Sequence, residues 1–344
     1  MLKGGIPIGR VFGISLRLNY SWFIVFALVT WVLTTNYFPS AFPEFGMATR
    51  LIAGIVTSLL FFASVLAHEL MHSVVAQARG IKVHEITLFI FGGVSQMTEE
   101  PKRPNDELRI ALAGPLTSLV IGGAFWAIWY WLGPFSRLLT AIAFWLGMIN
   151  IFLAGFNLIP GFPLDGGRVL RSILWLRTNN LRRATRTASN IGRGVGYLFI
   201  FAGIFFIFQG LWLNGLWLAF IGWFLENAAV GSYRQVALQE ILQGHVAGEI
   251  MNRDCSVVTP DLTIEQLVNR HILASGTRCF PVVTDDRVTG LITLNNVKAV
   301  PREQWATQTV RDAMIPLEKV KTVRLNEDLS TVLRIMAEED VNQV

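Results

Sequence analysis

Leu51-Ile-Ala-Gly-Ile-Val-Thr-Ser-Leu-Leu-Phe-Phe-Ala-Ser-Val-Leu-Ala-His68-Glu69-Leu-Met-His72-Ser-Val-Val75 carries no charge for its first seventeen residues, then places three ionisable side chains within five positions. A helix that crosses a bilayer needs about 20 mostly apolar residues, and this run reaches that length by continuing through Ala78. On such a helix His68 and His72 stand one turn apart on the same face, so both imidazoles can reach one cation. Ionisable groups in hydrocarbon are costly and mark function. Three of them together require a compensating cation or hydrogen bonds.

Outward from this stretch, residues 18–43, 110–136, 138–164 and 194–225 are also free of Asp, Glu, Lys and Arg. Over its 344 residues the chain is 52% hydrophobic and 15% charged, against about 25% charge in a typical soluble domain. The first three of these runs supply one span each. The last is long enough for two, folded back at residues 209–215, where Gly210 and the Asn214-Gly215 pair offer turn chemistry. After about residue 231 the charge density returns to that of a soluble protein. The expected fold is a polytopic α-helical membrane domain of about six spans at 1–232, followed by a soluble domain at 246–344.

Six spans put both termini on one side. If that side is the cytoplasm, the inner segments hold Lys3, Arg10, Arg17, Arg79, Lys82, Lys102, Arg103, Arg109, Arg168, Arg171, Arg177, Arg182, Arg183, Arg186 and Arg193, and the outer loops hold only Arg50 and Arg137. This asymmetry predicts cytoplasmic termini and a cytoplasmic soluble domain. It also explains the net charge of +5, which therefore does not indicate a nucleic-acid surface. The N-terminus lacks a short apolar segment ending in a small-residue cleavage site, and so reads as a retained anchor in the cell (inner) membrane. Cys255 and Cys279 both fall in the soluble part, where a reducing cytoplasm predicts buried thiols, not a disulfide.

A catalytic zinc site takes three protein ligands and keeps a position for water. Neutral imidazole suits zinc, and Glu69 lies close enough to act as general base on a water at the metal. The third ligand is sought in Asn157-Leu-Ile-Pro160-Gly-Phe-Pro163-Leu-Asp165-Gly166-Gly167-Arg168. Two prolines break the helix here, and broken backbone at membrane depth is tolerated where it lines a polar cavity. Asp165 is the leading candidate, with His84, in a loop or strand, the weaker one. Depth agrees with Asp165: His68 follows Leu51 by seventeen residues, about 26 Å at 1.5 Å per residue, which brings it toward the cytoplasmic side where the fourth span also ends.

The pair His68-Glu69-Leu-Met-His72 and Asn157-x-x-Pro160-x-x-Pro163-Leu-Asp165-Gly166-Gly167 resembles the two signatures of the site-2 proteases, the intramembrane zinc metalloproteases. The resemblance covers essentially the whole membrane domain. It implies a polytopic α-helical fold with one zinc per subunit, Asp165 as third ligand, and Asn157 near the scissile carbonyl as a polarising group. It also implies a substrate that is a single-span membrane protein, cut within or near its transmembrane segment, often a membrane-held regulator of transcription. Such cleavage is regulated intramembrane proteolysis.

Two further stretches are not helical in pattern. Phe12, Ile14, Leu16 and Leu18 alternate with Gly13, Ser15, Arg17 and Asn19, a period of two that predicts a strand. Residues 83–97 are β-branched and aromatic and break at Gly92-Gly93, as in a hairpin. Together they predict a small membrane-associated sheet, whose edge at Gly92, Gly93 and Val94 could pair with unwound substrate or only cover the cavity. Gly122-Gly123 and the glycines at 192, 194 and 196 read as close helix-packing points.

In the soluble part, Gly248-Glu-Ile-Met251, a helix start at Asp261-Leu-Thr-Ile, and apolar strands at 279–284 and 288–293 are followed by echoes at Val310-Arg-Asp-Ala-Met314 and Glu327-Asp-Leu-Ser. The offset of about 63–67 residues is a tandem repeat. It resembles a pair of cystathionine-β-synthase (CBS) domains of α+β type, the first at about 246–303 and the second, an incomplete copy, at about 307–344. That resemblance implies adenine-nucleotide binding, but Asn296 stands where a ribose-binding carboxylate is expected. A homodimer contact or a substrate dock are the other roles open to it. The competing function for the whole chain is a CBS-regulated metal-ion transporter. It would need further ligands along a membrane path, and the third, fifth and sixth charge-free spans offer none.

Overall fold

The computed structural model describes residues 5–338 apart from 91, 98–99, 133–135, 243, 253–254 and 286. Lys3 and the last six residues of the second repeat lie outside them. The chain divides into two units after Val236.

In the first unit, β1 (Gly5–Val11) and β2 (Ile14–Asn19) precede the helices α1 (Tyr20–Ala41) and α2 (Met47–Ala78). Strands β3 (Val83–Phe89) and β4 (Gly92–Met97) follow. The helices α3 (Pro104–Leu132), α4 (Arg137–Asn157), α5 (Asp165–Thr178) and α6 (Leu181–Phe208) come next, and α7 (Trp212–Leu242) ends the unit and runs on past Val236. Among the described residues six helices, α1 to α4 with α6 and α7, are long and apolar enough to cross a membrane. Some of their N-termini are capped by short polar side chains. Asn19 accepts from the Ser21 amide at 3.0 Å to start α1, and Asn180 accepts from the Arg183 amide at 2.8 Å to start α6.

Three details depart from the sequence reading. The fourth span stops at Asn157, not 164, because the chain turns before Pro160 and Pro163. The turn between α6 and α7 uses Gly210 alone, at φ +85°. Asn214 and Gly215 lie inside α7, and Gly215 is instead a packing point, since an added Cβ would sit 2.5 Å from the Gly203 carbonyl oxygen. Gly122, Gly192 and Gly196 are close-packed as expected, while Gly123 and Gly194 face open space.

The four strands form one sheet in the order β1-β2-β3-β4. The alternation at 12–19 marks only the second arm of a hairpin. Phe12 and Gly13, at φ 51° and 79°, are its turn, and β1 is an additional strand. β2 and β3 run parallel, joined through α1 and α2, whereas β3 and β4 form an antiparallel hairpin. The buried face of this sheet places Ile14, Leu16, Val83 and Ile86 against Ala76 of α2 and Ile110 of α3. Pairing with β3 lays β4 beside the last third of α2, at Glu69 and Ser73. The spans are tied by packing and by polar pairs such as Thr30 Oγ1 to Ser58 Oγ at 2.9 Å and Tyr37 OH to the Ala141 carbonyl at 3.0 Å.

The second unit is built on β5 (Cys279–Thr284) and β6 (Arg287–Thr293), antiparallel, with the short β7 (Ile315–Pro316) beside β6. Its core is Val258, Ile264, Leu267, Phe280, Val282, Ile292, Val297 and Val310. The repeat appears as reciprocal pairing: Val246 bridges Asp328, and Thr263 bridges Thr309. Each bridge joins the first helix start of one copy to the later helix start of the other. The helix start expected at Asp261-Leu-Thr-Ile is capped by Thr263, which forms a capping box with Gln266. Cys255 and Cys279 are free, but neither is buried: Cys255 is exposed and Cys279 half-buried.

Candidate metal centre

Between Arg50 and His68 α2 carries no charge, and it then presents His68 and His72 inward, each only 4% exposed. Asp165 is the first residue of α5, just past the proline-broken loop, where a helix N-terminus favours a carboxylate. Its Oδ2 lies 3.1 Å from His68 Nε2 and 3.1 Å from His72 Nε2, and the two Nε2 atoms are 3.3 Å apart. Among the described residues these three are the group of His, Cys, Asp or Glu side chains able to hold a metal ion. Sequence spacing alone could not have brought the first residue of α5 to α2.

The donor set fits a cation. His72 Nδ1 is 2.6 Å from the Ile110 carbonyl oxygen, which can only accept, so Nδ1 carries a proton, and in the neutral ring that binds a metal Nε2 presents a lone pair. That lone pair faces an Asp165 oxygen, also an acceptor. Two acceptors at hydrogen-bond distance need a proton or a metal cation between them, and the third donor atom, His68 Nε2, suits the metal. His68 Nδ1 lies 2.9 Å from Ser118 Oγ, a hydroxyl that accepts when His68 too presents its Nε2 lone pair. The spacings match a tetrahedral site, for which ligand atoms about 2.0 Å from zinc stand about 3.3 Å apart.

The support comes from one face of α3. Glu107, Ile110, Gly114 and Ser118 recur there at helical spacing. Gly114 gives the histidines room, since a Cβ on it would lie 2.2 Å from His72 Nε2 and 2.6 Å from His68 Nε2. Pro115 has no N–H to offer Ala111, which loosens α3 next to the carbonyl that His72 uses. None of these residues was singled out from the sequence. The available signal was a period-3.6 series of small and polar residues in a span, which resembles ordinary helix packing.

Glu69, half-buried, accepts from Ser95 Oγ at 3.3 Å. Ser95 in turn accepts from Ser73 at 3.3 Å. β4 passes directly over Glu69: a Cβ on Gly93 would be 2.4 Å from Glu69 Cγ. Gly92 opens the strand at φ +125°, and Val94 is exposed. Asn157 ends α4 with its side-chain amide donating to the Leu153 carbonyl at 3.0 Å, an intrahelical bond that does not join the His–Asp group. His84 is exposed on β3, away from the cluster. In the second unit Asn296 is engaged locally, accepting from the Thr293 amide at 3.1 Å and from its hydroxyl at 2.5 Å.

A helix-borne histidine pair closed by a distant carboxylate, inside a bundle proportioned to cross lipid, is the layout of a membrane-embedded metallopeptidase. The family model of Peptidase family M50 matches residues 56–143 and 134–203, and that of the CBS domain matches residues 247–302. A Synechocystis chain assigned as a zinc metalloprotease is 35% identical over 100% of this chain and 90% of its own length. Rip3 of Mycobacterium tuberculosis, likewise assigned, is 34% identical over 98% and 86%. A zinc metalloprotease of Methanocaldococcus jannaschii is 34% identical over 83% and 78%. The solved site-2 protease from Methanocaldococcus jannaschii matches with 31% identity and a TM-score of 0.45, covering 67% of this chain and 95% of that one. The chain belongs to Peptidase family M50, the site-2 protease-like zinc metalloproteases, and is a multi-pass membrane protein with a CBS domain in its C-terminal part. Family membership decides for a peptidase over a metal-ion transporter.

Proposed function

We propose that this protein hydrolyses a peptide bond within or near the transmembrane segment of a single-span membrane protein, with one zinc held by His68, His72 and Asp165. The observation that carries this reading is the convergence of two imidazole nitrogens and a carboxylate oxygen at 3.1–3.3 Å inside a membrane-crossing bundle. Zinc bound there supplies a Lewis acid that polarises the scissile carbonyl and makes water acidic enough to attack near neutral pH. Glu69 takes the proton of the attacking water and delivers it to the leaving amide nitrogen as the carbon–nitrogen bond breaks. Ser95 holds the Glu69 carboxylate toward β4 while it waits.

The sheet supports the peptide-binding half of the reading. β4 is an edge in the order β1-β2-β3-β4, and it runs over Glu69. An unwound substrate added to this edge finds partners for its freed backbone groups and lies across the general base. Gly92, Gly93 and Val94 are then the positioning residues. Asn157 gives one amide N–H to the Leu153 carbonyl and keeps a second with which to polarise the scissile carbonyl. The excess of arginine and lysine on one side supports cytoplasmic termini in the cell membrane, with residues 1–232 catalytic and 246–344 regulatory. Because the Asn296 side chain is spent on its own helix cap, a homodimer or substrate contact suits the CBS pair better than an adenine nucleotide.

Co-expression of the full chain with a single-span reporter tests the reading. Glu69→Gln is expected to abolish the cleavage fragment, a loss of about 10²- to 10⁴-fold, while zinc stays bound. Val94→Pro is expected to block cleavage with zinc retained. Cleavage undiminished in Glu69→Gln would contradict the proposed chemistry, and undiminished cleavage in Val94→Pro would contradict the strand-edge binding.

A further inference from the structure

The loop that delivers Asp165 has few bonds of its own. Leu164 donates to the Gly161 carbonyl at 3.1 Å, Gly167 to Leu164 at 2.9 Å, and Phe162 to Ala188 at 3.3 Å. Yet its carboxylate reaches two histidines on another helix within the narrow tolerance of a metal site. What holds α5 in that place lies one and a half turns further on, at Arg171.

Arg171 Nε donates to Glu107 Oε1 at 2.6 Å, and its Nη2 donates to the same oxygen. Nη1 reaches Glu100 Oε2 at 3.4 Å, and the guanidinium lies 5.2 Å over the Phe162 ring. The side chains of Arg171 and Glu107 are 6% and 0% exposed. Glu107 sits on the same face of α3 as Ile110, which accepts from His72, and Ser118, which meets His68. One helix face therefore holds both imidazoles through their outer nitrogens and, through Arg171, grips the helix and loop on either side of Asp165.

A buried ion pair is a poor way to hold two helices together, because desolvation offsets most of the attraction and apolar residues of similar size do as well or better. Glu107 Oε2 adds to the cost, having no hydrogen-bond partner among the described residues. What such a pair supplies is a single relative placement, since a planar guanidinium on a carboxylate tolerates little sliding. We propose that the Arg171–Glu107 clasp is the positioning device for Asp165, setting the affinity of the metal centre without touching the metal. This rests on the metal-site reading above and extends it to two residues outside the ligand set.

The test is the zinc dissociation constant of the purified full chain in detergent, by competition with a chromophoric chelator, alongside the melting temperature of the zinc-free protein. Arg171→Lys and Glu107→Gln are expected to weaken zinc binding about 10-fold or more. The double variant Glu107→Leu/Arg171→Leu, which removes the buried charges together, is expected to melt near wild type and still bind zinc weakly. A merely structural role would lower the zinc-free melting temperature and leave the affinity of the folded protein unchanged. Wild-type affinity in Arg171→Lys or in the double variant overturns the clasp. His68→Ala is the control: if it too keeps wild-type affinity, the metal-site reading falls and the clasp with it. Loss of zinc in His68→Ala alone would sink only the clasp.

Discussion

Two arginine–carboxylate pairs, one in each unit, make the same contact to different effect. Arg171 and Glu107 in the membrane unit are 6% and 0% exposed, while Arg311 and Asp261 in the second unit, 3.2 Å apart, are 62% and 83% exposed. Two histidine–carboxylate pairs repeat the contrast. His68 and Asp165 are 5% and 14% exposed, and His245 and Glu249 are 57% and 50% exposed. Breaking a buried pair by removing one partner costs about 3–5 kcal/mol, whereas an exposed pair contributes about 0–1 kcal/mol. Burial and convergence, not residue identity, make a charged pair consequential in this molecule.

That contrast can be tested from its strong end downward. Gly114→Ala is expected to be the most damaging change that leaves every charge in place, because its Cβ would stand 2.2 Å from His72 Nε2. Overpacking of about 1–3 kcal/mol, taken from the metal site, corresponds to zinc binding weaker by about 5- to 150-fold, readable by chelator competition. Ser118→Ala deprives His68 Nδ1 of its 2.9 Å partner and is expected to weaken zinc about 10-fold with little change in melting temperature. Arg311→Ala is expected to shift stability by less than about 0.5 kcal/mol and to leave zinc untouched. An Arg311→Ala effect as large as that of Ser118→Ala would break the comparison.

The spans were legible because lipid imposes a simple rule, and runs such as 138–164 and 194–225 carry no charge at all. The convergence of His68, His72 and Asp165 was legible because two histidines and Glu69 crowd a helix where ionisable groups are costly, and because Pro160 and Pro163 mark a break beside Asp165. The supports were not. Ser118 and Gly114 are small residues in an apolar helix, and such residues usually serve packing. Arg171 was counted with the charges facing the cytoplasm, yet it is spent inward on Glu107. Asn157, placed by resemblance alone, is bonded to Leu153. β1 escaped because its hairpin turns at Phe12-Gly13, and a phenylalanine at φ 51° is not a turn residue that composition announces.

The central claim is that His68, His72 and Asp165 form one metal centre. Zinc per chain, measured by elemental analysis of the purified full-length protein, tests it most directly. The account expects one zinc in the wild type and in Glu69→Gln, and none retained through gel filtration in His68→Ala or Asp165→Ala. A full equivalent of zinc in Asp165→Ala would contradict it.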